Sequence, residues 1–298
     1  LGLALAAFLL TSPFAFADTL GINPNPRFLK VTDHCSVKKS DASKPRILLV
    51  KQWHLSATVN TKAPNAPVPP QAANQTQIYS QLDEWAKTKA IHIVVAEGCE
   101  GKIDSKFTPT YNGWNFNDLK MASHAHHYEK IPSHAVLKLE AKYGDAIEAI
   151  CGDDNRAIKE EQLAFSDARG DLGYLSQMIA SKNDPAKAKL FREGAIEALK
   201  LKSSATDADV LDSLKKDLKD TIQKIKTANE NRSAKAVETI AGLKSTQPVP
   251  VIFGGAHITQ MKKMLEEKGF ECDVLEPLSY SNDEEKLLDG LEQALKSI

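Results

Sequence analysis

Short apolar runs rich in β-branched residues recur along this chain, and each leads into sequence of helical period. Arg46–Gln52 (RILLVKQ), Ile91–Ala96 (IHIVVA), Ala146–Cys151 and Val249–Phe253 are the clearest. Such runs, separated by helical stretches, predict buried strands of an α/β protein. Gln75–Lys89 is amphipathic through Ile78, Leu82 and Trp85 and predicts the helix joining the first two strands. Asn115–Tyr143 predicts two helical segments divided near Pro132. Arg156 to about Lys244 has helical composition almost throughout, with breaks expected near Gly170–Gly173, Asp184-Pro185 and Ser203–Asp207. His257–Lys268 and Asn282–Lys296 supply further helices, with Glu271–Leu275 as a last short strand. The expected fold is a central, largely parallel or mixed sheet flanked by helices. A helical insertion at about 155–245 precedes the strand that ends in Gly254-Gly255-Ala256-His257.

The remaining segments are punctuation. Asp18–Lys44 is expected to be an irregular lead-in. Thr61–Asn74 carries Pro64, Pro67, Pro69 and Pro70, a composition that excludes a helix or a central strand. Lying just after a strand end, it is either a cover for the site or a plain surface linker. Residues 1–17 are apolar and uncharged and close with Ala15-Phe16-Ala17, so they are expected to be a signal peptide cleaved before Asp18. That run is too short for a membrane span, which takes about 20 apolar residues. Residues 18–298 remain, about 280 residues, enough for one domain with a proper core.

Net charge is −1 with lysines and acids interspersed. This offers nothing to nucleic acid or to an anionic membrane surface. The partner expected is a small-molecule or peptide substrate, for an exported protein, periplasmic or secreted, with no stable membrane span after cleavage. Four cysteines, Cys35, Cys99, Cys151 and Cys272, allow three complete pairings. Cys99 and Cys151 both lie at strand ends and form the favoured pair; the alternative is buried thiols.

The chemistry gathers where the strands end. Trp53-His54, Glu97-Gly98, Gly152-Asp153-Asp154 and Gly254-Gly255-Ala256-His257 each follow a strand. In open α/β sheets the ligand crevice lies beyond these carboxyl ends. Two imidazoles and a carboxylate suit a divalent Zn, Mn, Co or Fe ion, so His54, Glu97 and His257 are the candidate metal ligands. Glu97 is alternatively the general base on a metal-bound water. Two glycines before His257 let the backbone turn sharply, and the helix start there offers N–H groups to an oxyanion. One aspartate of the Gly152-Asp153-Asp154 turn is expected to cap the following helix, leaving Asp153 as a candidate to orient a ligand.

A second clue lies in the insertion. Val210, Leu214, Leu218, Ile222 and Ile225 step by three or four, and the same stripe continues through Asn229 and Arg232 to Ala236 and Ile240. A charge on a buried stripe needs partners, so Arg232 is a candidate to face the site; the alternative is a long stem reaching solvent. His124, His126, His127 and His134 around Tyr128 form a third candidate, since His and Tyr are haem ligands. Against it stands a solvated helix face, on which His124 and His127 would lie together.

These blocks resemble the TraB/Tiki-like superfamily, which also takes in ChaN-like and erythromycin-esterase-like proteins. Val249–Leu275 is similar to that family's strand, Gly-x-x-His turn, helix and returning strand. Glu97-Gly98, Gly152–Arg156 and Asn229–Ser233 are similar to its acidic strand end and later motifs. The sequence departs from the pattern at Lys51-Gln52-Trp53-His54, where the first Gly-x-x-His begins with glycine, and at Asn231-Arg232, where the usual order is Arg-Asn. The resemblance implies a metal-dependent protease or esterase, with Glu97, Arg232 and Asp153 catalytic and a metal on His54, Glu97 and His257. It implies as alternatives a periplasmic haem or iron carrier, or a non-catalytic binding relative.

Overall fold

The computed structural model describes residues 22–37, 41, 43–54 and 60–297; the expected signal peptide lies outside them. Seven strands form one sheet: β1 (Leu29–His34), β2 (Ile47–Gln52), β3 (Ile93–Ala96), β4 (Glu100–Lys102), β5 (Glu148–Gly152), β6 (Val249–Gly254) and β7 (Cys272–Pro277). Their spatial order is β1-β7-β2-β6-β3-β5-β4. The five inner strands run parallel, and β1 and β4 close the two edges antiparallel. Strands covered on both faces have no reason to alternate, and Ile47–Val50 and Val249–Gly254 are buried at every position.

Among the described residues there are eight α-helices: α1 (Gln71–Lys87), α2 (Phe116–Ala122), α3 (Ala135–Tyr143), α4 (Asn155–Ala180), α5 (Pro185–Ala198), α6 (Asp207–Gly242), α7 (Gly255–Glu267) and α8 (Leu287–Ser297). On one face, α1 and α3 bury Ile78, Leu82, Val136 and Leu139 against Leu48, Val50 and Val94. On the other, α7 and the last turns of α6 bury Ile258, Met261, Ala236 and Ile240 against Leu49, Val95 and Val251. A third core belongs to the insertion, where Ala164, Leu175, Leu214, Leu218 and Ile225 of α4 and α6 pack together and take in Leu291 of α8. At 36 residues, α6 is about 54 Å long, and it joins the insertion core to the sheet. Arg232 sits at the handover between the two.

Several expectations need correction. The lead-in 18–44 is not wholly irregular: Leu29–His34 forms β1, an edge strand with only Leu29 buried, so it carries no apolar run to read. The proline-rich segment ends earlier than expected, and α1 begins at Gln71, just past Pro70, because proline precedes a first turn without cost. No break occurs at Gly170–Gly173, which α4 crosses without interruption. The stretch holding His124, His126 and His127 is not helical; α2 stops at Ala122.

Two disulfides are formed, Cys99–Cys151 and Cys35–Cys272. The first joins the ends of neighbouring strands β3 and β5, two residues from both Glu97 and Asp153. The second ties the exit of β1 to β7. No helix among the described residues is long and apolar enough to cross a membrane.

Candidate functional site

Five elements deliver one cluster of polar side chains to the carboxyl edge of the sheet. His54 follows β2, Glu97 follows β3, Asp153 follows β5, and His257 lies in the first turn of α7 after β6. Arg232 reaches the same point from α6. Glu97, Asp153, Arg232 and His257 are buried, whereas the His54 side chain keeps 43% of its surface open.

Glu97 is the centre. Its Oε2 accepts from Gln52 Nε2 at 3.0 Å and from the Gly254 amide, and it faces His54 Nε2 at 3.1 Å. Its Oε1 accepts from Arg232 Nη2 at 2.6 Å and faces His257 Nε2 at 3.2 Å. Burial would push this carboxyl upward, but the charges of His54, His257 and Arg232 hold it well below the usual carboxylate range. A side chain at Gly254 would meet this cluster, because a Cβ there would stand 2.5 Å from His54 Cε1. Glycine is therefore required by close approach.

Arg232 is bonded through all three guanidinium nitrogens. Its Nε and Nη2 donate to Asp153, its Nη2 also to Glu97, and its Nη1 to Glu161. Asp153 in turn accepts from the Gly98 amide at 3.0 Å. Its neighbour Asp154 caps α4 by accepting from Arg156 and Ala157. The two aspartates thus divide the tasks the turn sequence left open. Arg232 thus holds three carboxylates in place at once.

Both histidines have one nitrogen assigned by their partners. His54 Nδ1 stands 2.8 Å from Glu284 Oε2, and its backbone N–H also donates to Glu284. A carboxylate only accepts, so Nδ1 carries the proton. His257 Nδ1 lies 3.0 Å from Ser233 Oγ, whose own hydroxyl donates to the Asn229 carbonyl; that Nδ1 is also a donor. In a neutral ring each Nε2 would then present a lone pair to a carboxylate oxygen little more than 3 Å away. Two acceptors repel, so each contact needs a proton or a cation. For His54, burial favours the neutral ring, but Glu97 and Glu284 win and hold its pKa well above the ordinary value.

His134 and Tyr111 complete the floor. Their rings lie 5.1 Å apart and line the same cleft. His134 is 8% exposed, and its Nε2 has no hydrogen-bond partner. Burial, reinforced by His54, holds its pKa down to about 4, so the ring is neutral at physiological pH. Burial together with Glu97 and Asp153 pushes the Tyr111 phenol up to about 12.

Of the expected site residues, His54, Glu97, Asp153, Arg232 and His257 come together. The histidine group does not: His124, His126 and His127 are exposed, and Tyr128 is buried with its hydroxyl donating to the Lys138 carbonyl. Only His134 joins the site. Lys51, where the resemblance leads one to expect glycine, reaches Glu285 at 3.0 Å and lies over the Tyr280 ring, so it anchors the C-terminal segment. Residues 60–70 do not line the cleft; Thr61 is bonded to the Asn112 carbonyl. Gln52, Glu161, Ser233 and Glu284 belong to the site without having been singled out. The first ends an apolar strand with a buried amide, which was a readable signal; Glu284 arrives from the chain's last turn over the sheet and carried none.

The cleft has a volume of about 740 Å3 and opens between α4, α6, α7 and the segment before α8. Among the described residues, no three His, Cys, Asp or Glu side chains surround a common point in metal-ligand geometry. The donor chemistry nevertheless fits a divalent transition ion: two imidazoles with their Nδ1 protons fixed by second partners, both Nε2 atoms turned to one carboxylate.

Fold and site define an α/β protein with a polar, carboxylate-centred cleft at the strand ends. No family model, curated protein or solved structure matches the chain.

Proposed function

We propose that this chain is an exported, metal-dependent hydrolase that cleaves a peptide or ester bond in the cleft beyond β2, β3 and β6. The observation that carries the proposal is the pair of Nε2 contacts to Glu97, each of which needs a proton or a cation between two acceptors. The resemblance to the TraB/Tiki-like superfamily supports the same ligand set, and the two disulfides support an oxidising compartment.

His54, His257 and Glu97 would hold a Zn, Mn, Co or Fe ion. Such an ion, when bound, acidifies a water molecule and polarises the scissile carbonyl. The protein supplies the rest. Arg232, tied to Asp153 and Glu161, keeps Glu97 ionised and oriented. Glu284, partly open to solvent, fixes the His54 ring by accepting from Nδ1 at Oε2. Gly255 and Ala256, in the first turn of α7, line the cleft; N–H groups at a helix start lack intrahelical acceptors and favour developing negative charge.

The test is turnover of chromogenic esters and peptide amides by protein loaded in turn with Zn2+, Mn2+ and Co2+. Hydrolysis that needs the ion and falls at least a thousandfold in Glu97→Gln and His257→Ala is the expected result. Ion uptake without turnover of any substrate would overturn the hydrolase assignment.

A further inference from the structure

The cleft has a chemical polarity that the hydrolytic residues do not use. One wall is apolar: Ile158 and Phe165 from α4, Ile225 from α6, and Leu287 and Leu288 from α8 all face it. The rest is acidic. Among the described residues lining it stand six carboxylates against two fixed cations, Lys226 and Arg232; Glu97, Glu161 and Glu284 belong to the hydrolytic cluster and Glu285 is paired with Lys51, which leaves Glu230 and Asp289. Arg232 is already consumed by three carboxylates, and Lys226 is paired with Glu292. Even with His54 and His257 both protonated, the balance remains negative. Glu230 and Asp289, both exposed, make no ion pair among the described residues. The floor adds an unsatisfied polar atom, His134 Nε2, on a side chain more than nine-tenths buried. A buried polar atom of this kind calls for a partner that the folded chain does not supply.

Resting on the proposed reading of this cleft as the substrate site, we infer that its substrate is an amphiphilic cation. Its hydrocarbon or aromatic body lies on the Ile158–Phe165–Ile225–Leu287–Leu288 wall, and its ammonium or guanidinium group lies near Glu230 and Asp289. A carboxylate-lined, partly desolvated cleft focuses its field and raises the local concentration of cations. The apolar wall supplies the area-proportional part of the affinity. Anionic substrates of the same shape meet like charge and are rejected.

The probes are octyltrimethylammonium and octanesulfonate, equal in chain length and opposite in charge, each titrated below its micelle concentration into the full chain at low salt. Neither can be hydrolysed, so the outcome is independent of whether the protein is an enzyme; turnover of esters tests that separately. The cation is expected to bind at least tenfold more tightly than the sulfonate, with the preference shrinking as salt rises. In Glu230→Gln/Asp289→Asn, two exposed positions whose change leaves the fold intact, the ratio falls to threefold or less. In Leu287→Lys, at a wall position already 42% exposed, cation affinity falls at least fivefold and sulfonate affinity rises. Equal or tighter binding of the sulfonate overturns the inference. So does a cation preference that both variants leave unchanged, because the probe would then be bound elsewhere.

Discussion

At the scale of single residues, the site is governed by which atoms already have partners. Arg232 is buried with three carboxylates, to which all three of its guanidinium nitrogens donate. Its replacement by Met leaves the buried Asp153 and Glu161 without their guanidinium partner and Glu97 with the two histidines alone. A loss of about 3–5 kcal/mol is expected, read from urea unfolding, since breaking a buried ionic network costs far more than forming it gains. Ser233 acts through His257: its hydroxyl oxygen accepts from Nδ1 and would leave Nε2 for the proposed ion. Ser233→Ala should keep the fold and weaken metal binding about 10–100-fold, the usual effect of removing a ligand's second partner; an unchanged affinity would show that another group sets the tautomer. His54, Glu97, Asp153 and His257 were legible because each ends an apolar strand. Glu284 and Glu161 were not, because nothing local marks a carboxylate that arrives from a distant turn or from an otherwise ordinary helix face.

At the scale of elements, periodicity carried furthest where burial is one-sided and long. The stripe from Val210 through Ile225 to Ile240 is buried as its spacing requires, and Arg232 falls on it. It failed where tertiary packing outweighs propensity. Gly170 and Gly173 each cost up to about 1 kcal/mol in a helix, yet α4 runs through them because its Ala164, Ala168 and Leu175 face pack against α6. The β1 edge escaped notice for the opposite reason, having no apolar pattern to show. The α4–α6 contact also holds a buried group with a pH signature. Asp171 has an unpartnered Oδ2, and burial, with Asp217 and Asp167 nearby, pushes its pKa up to about 7 from 3.8. The folded state therefore keeps a proton that the unfolded chain has released between about pH 4 and 7. Stability falls as pH rises through that window, and the penalty is complete above it. Asp171→Asn should match the wild type near pH 4 and exceed it at pH 8 by on the order of 1–3 kcal/mol. Thermal melts at the two pH values check this, and an equal difference at both would refute it.

For the whole molecule, the sheet is a device for bringing remote residues to one edge. Five parallel strands end together, and crossovers on both faces leave that edge free. The Cys99–Cys151 bridge and the pairing of Lys51 with Glu285 then fix the loops and the C-terminal return around it. The architecture was legible because parallel strands buried on both faces read as uninterrupted apolar runs. The closing of the cleft by α8 and its preceding turn was not, since it depends on where the chain returns in space.

The proposal at stake is that one divalent ion held by His54, Glu97 and His257 takes the place of the proton that His54 carries. Near-stoichiometric uptake of Zn2+ or Mn2+, followed by calorimetry in buffers of different ionisation enthalpy, tests it most directly. Because Glu97 and Glu284 hold the His54 proton well above its ordinary range, the ion must displace that proton, and apparent affinity should climb with pH through and above neutrality. The account predicts about one ion bound with proton release, and neither in a folded His257→Ala variant. A folded wild type that takes up no ion at any pH from 6 to 9, in roughly the range where His titrates, would contradict it.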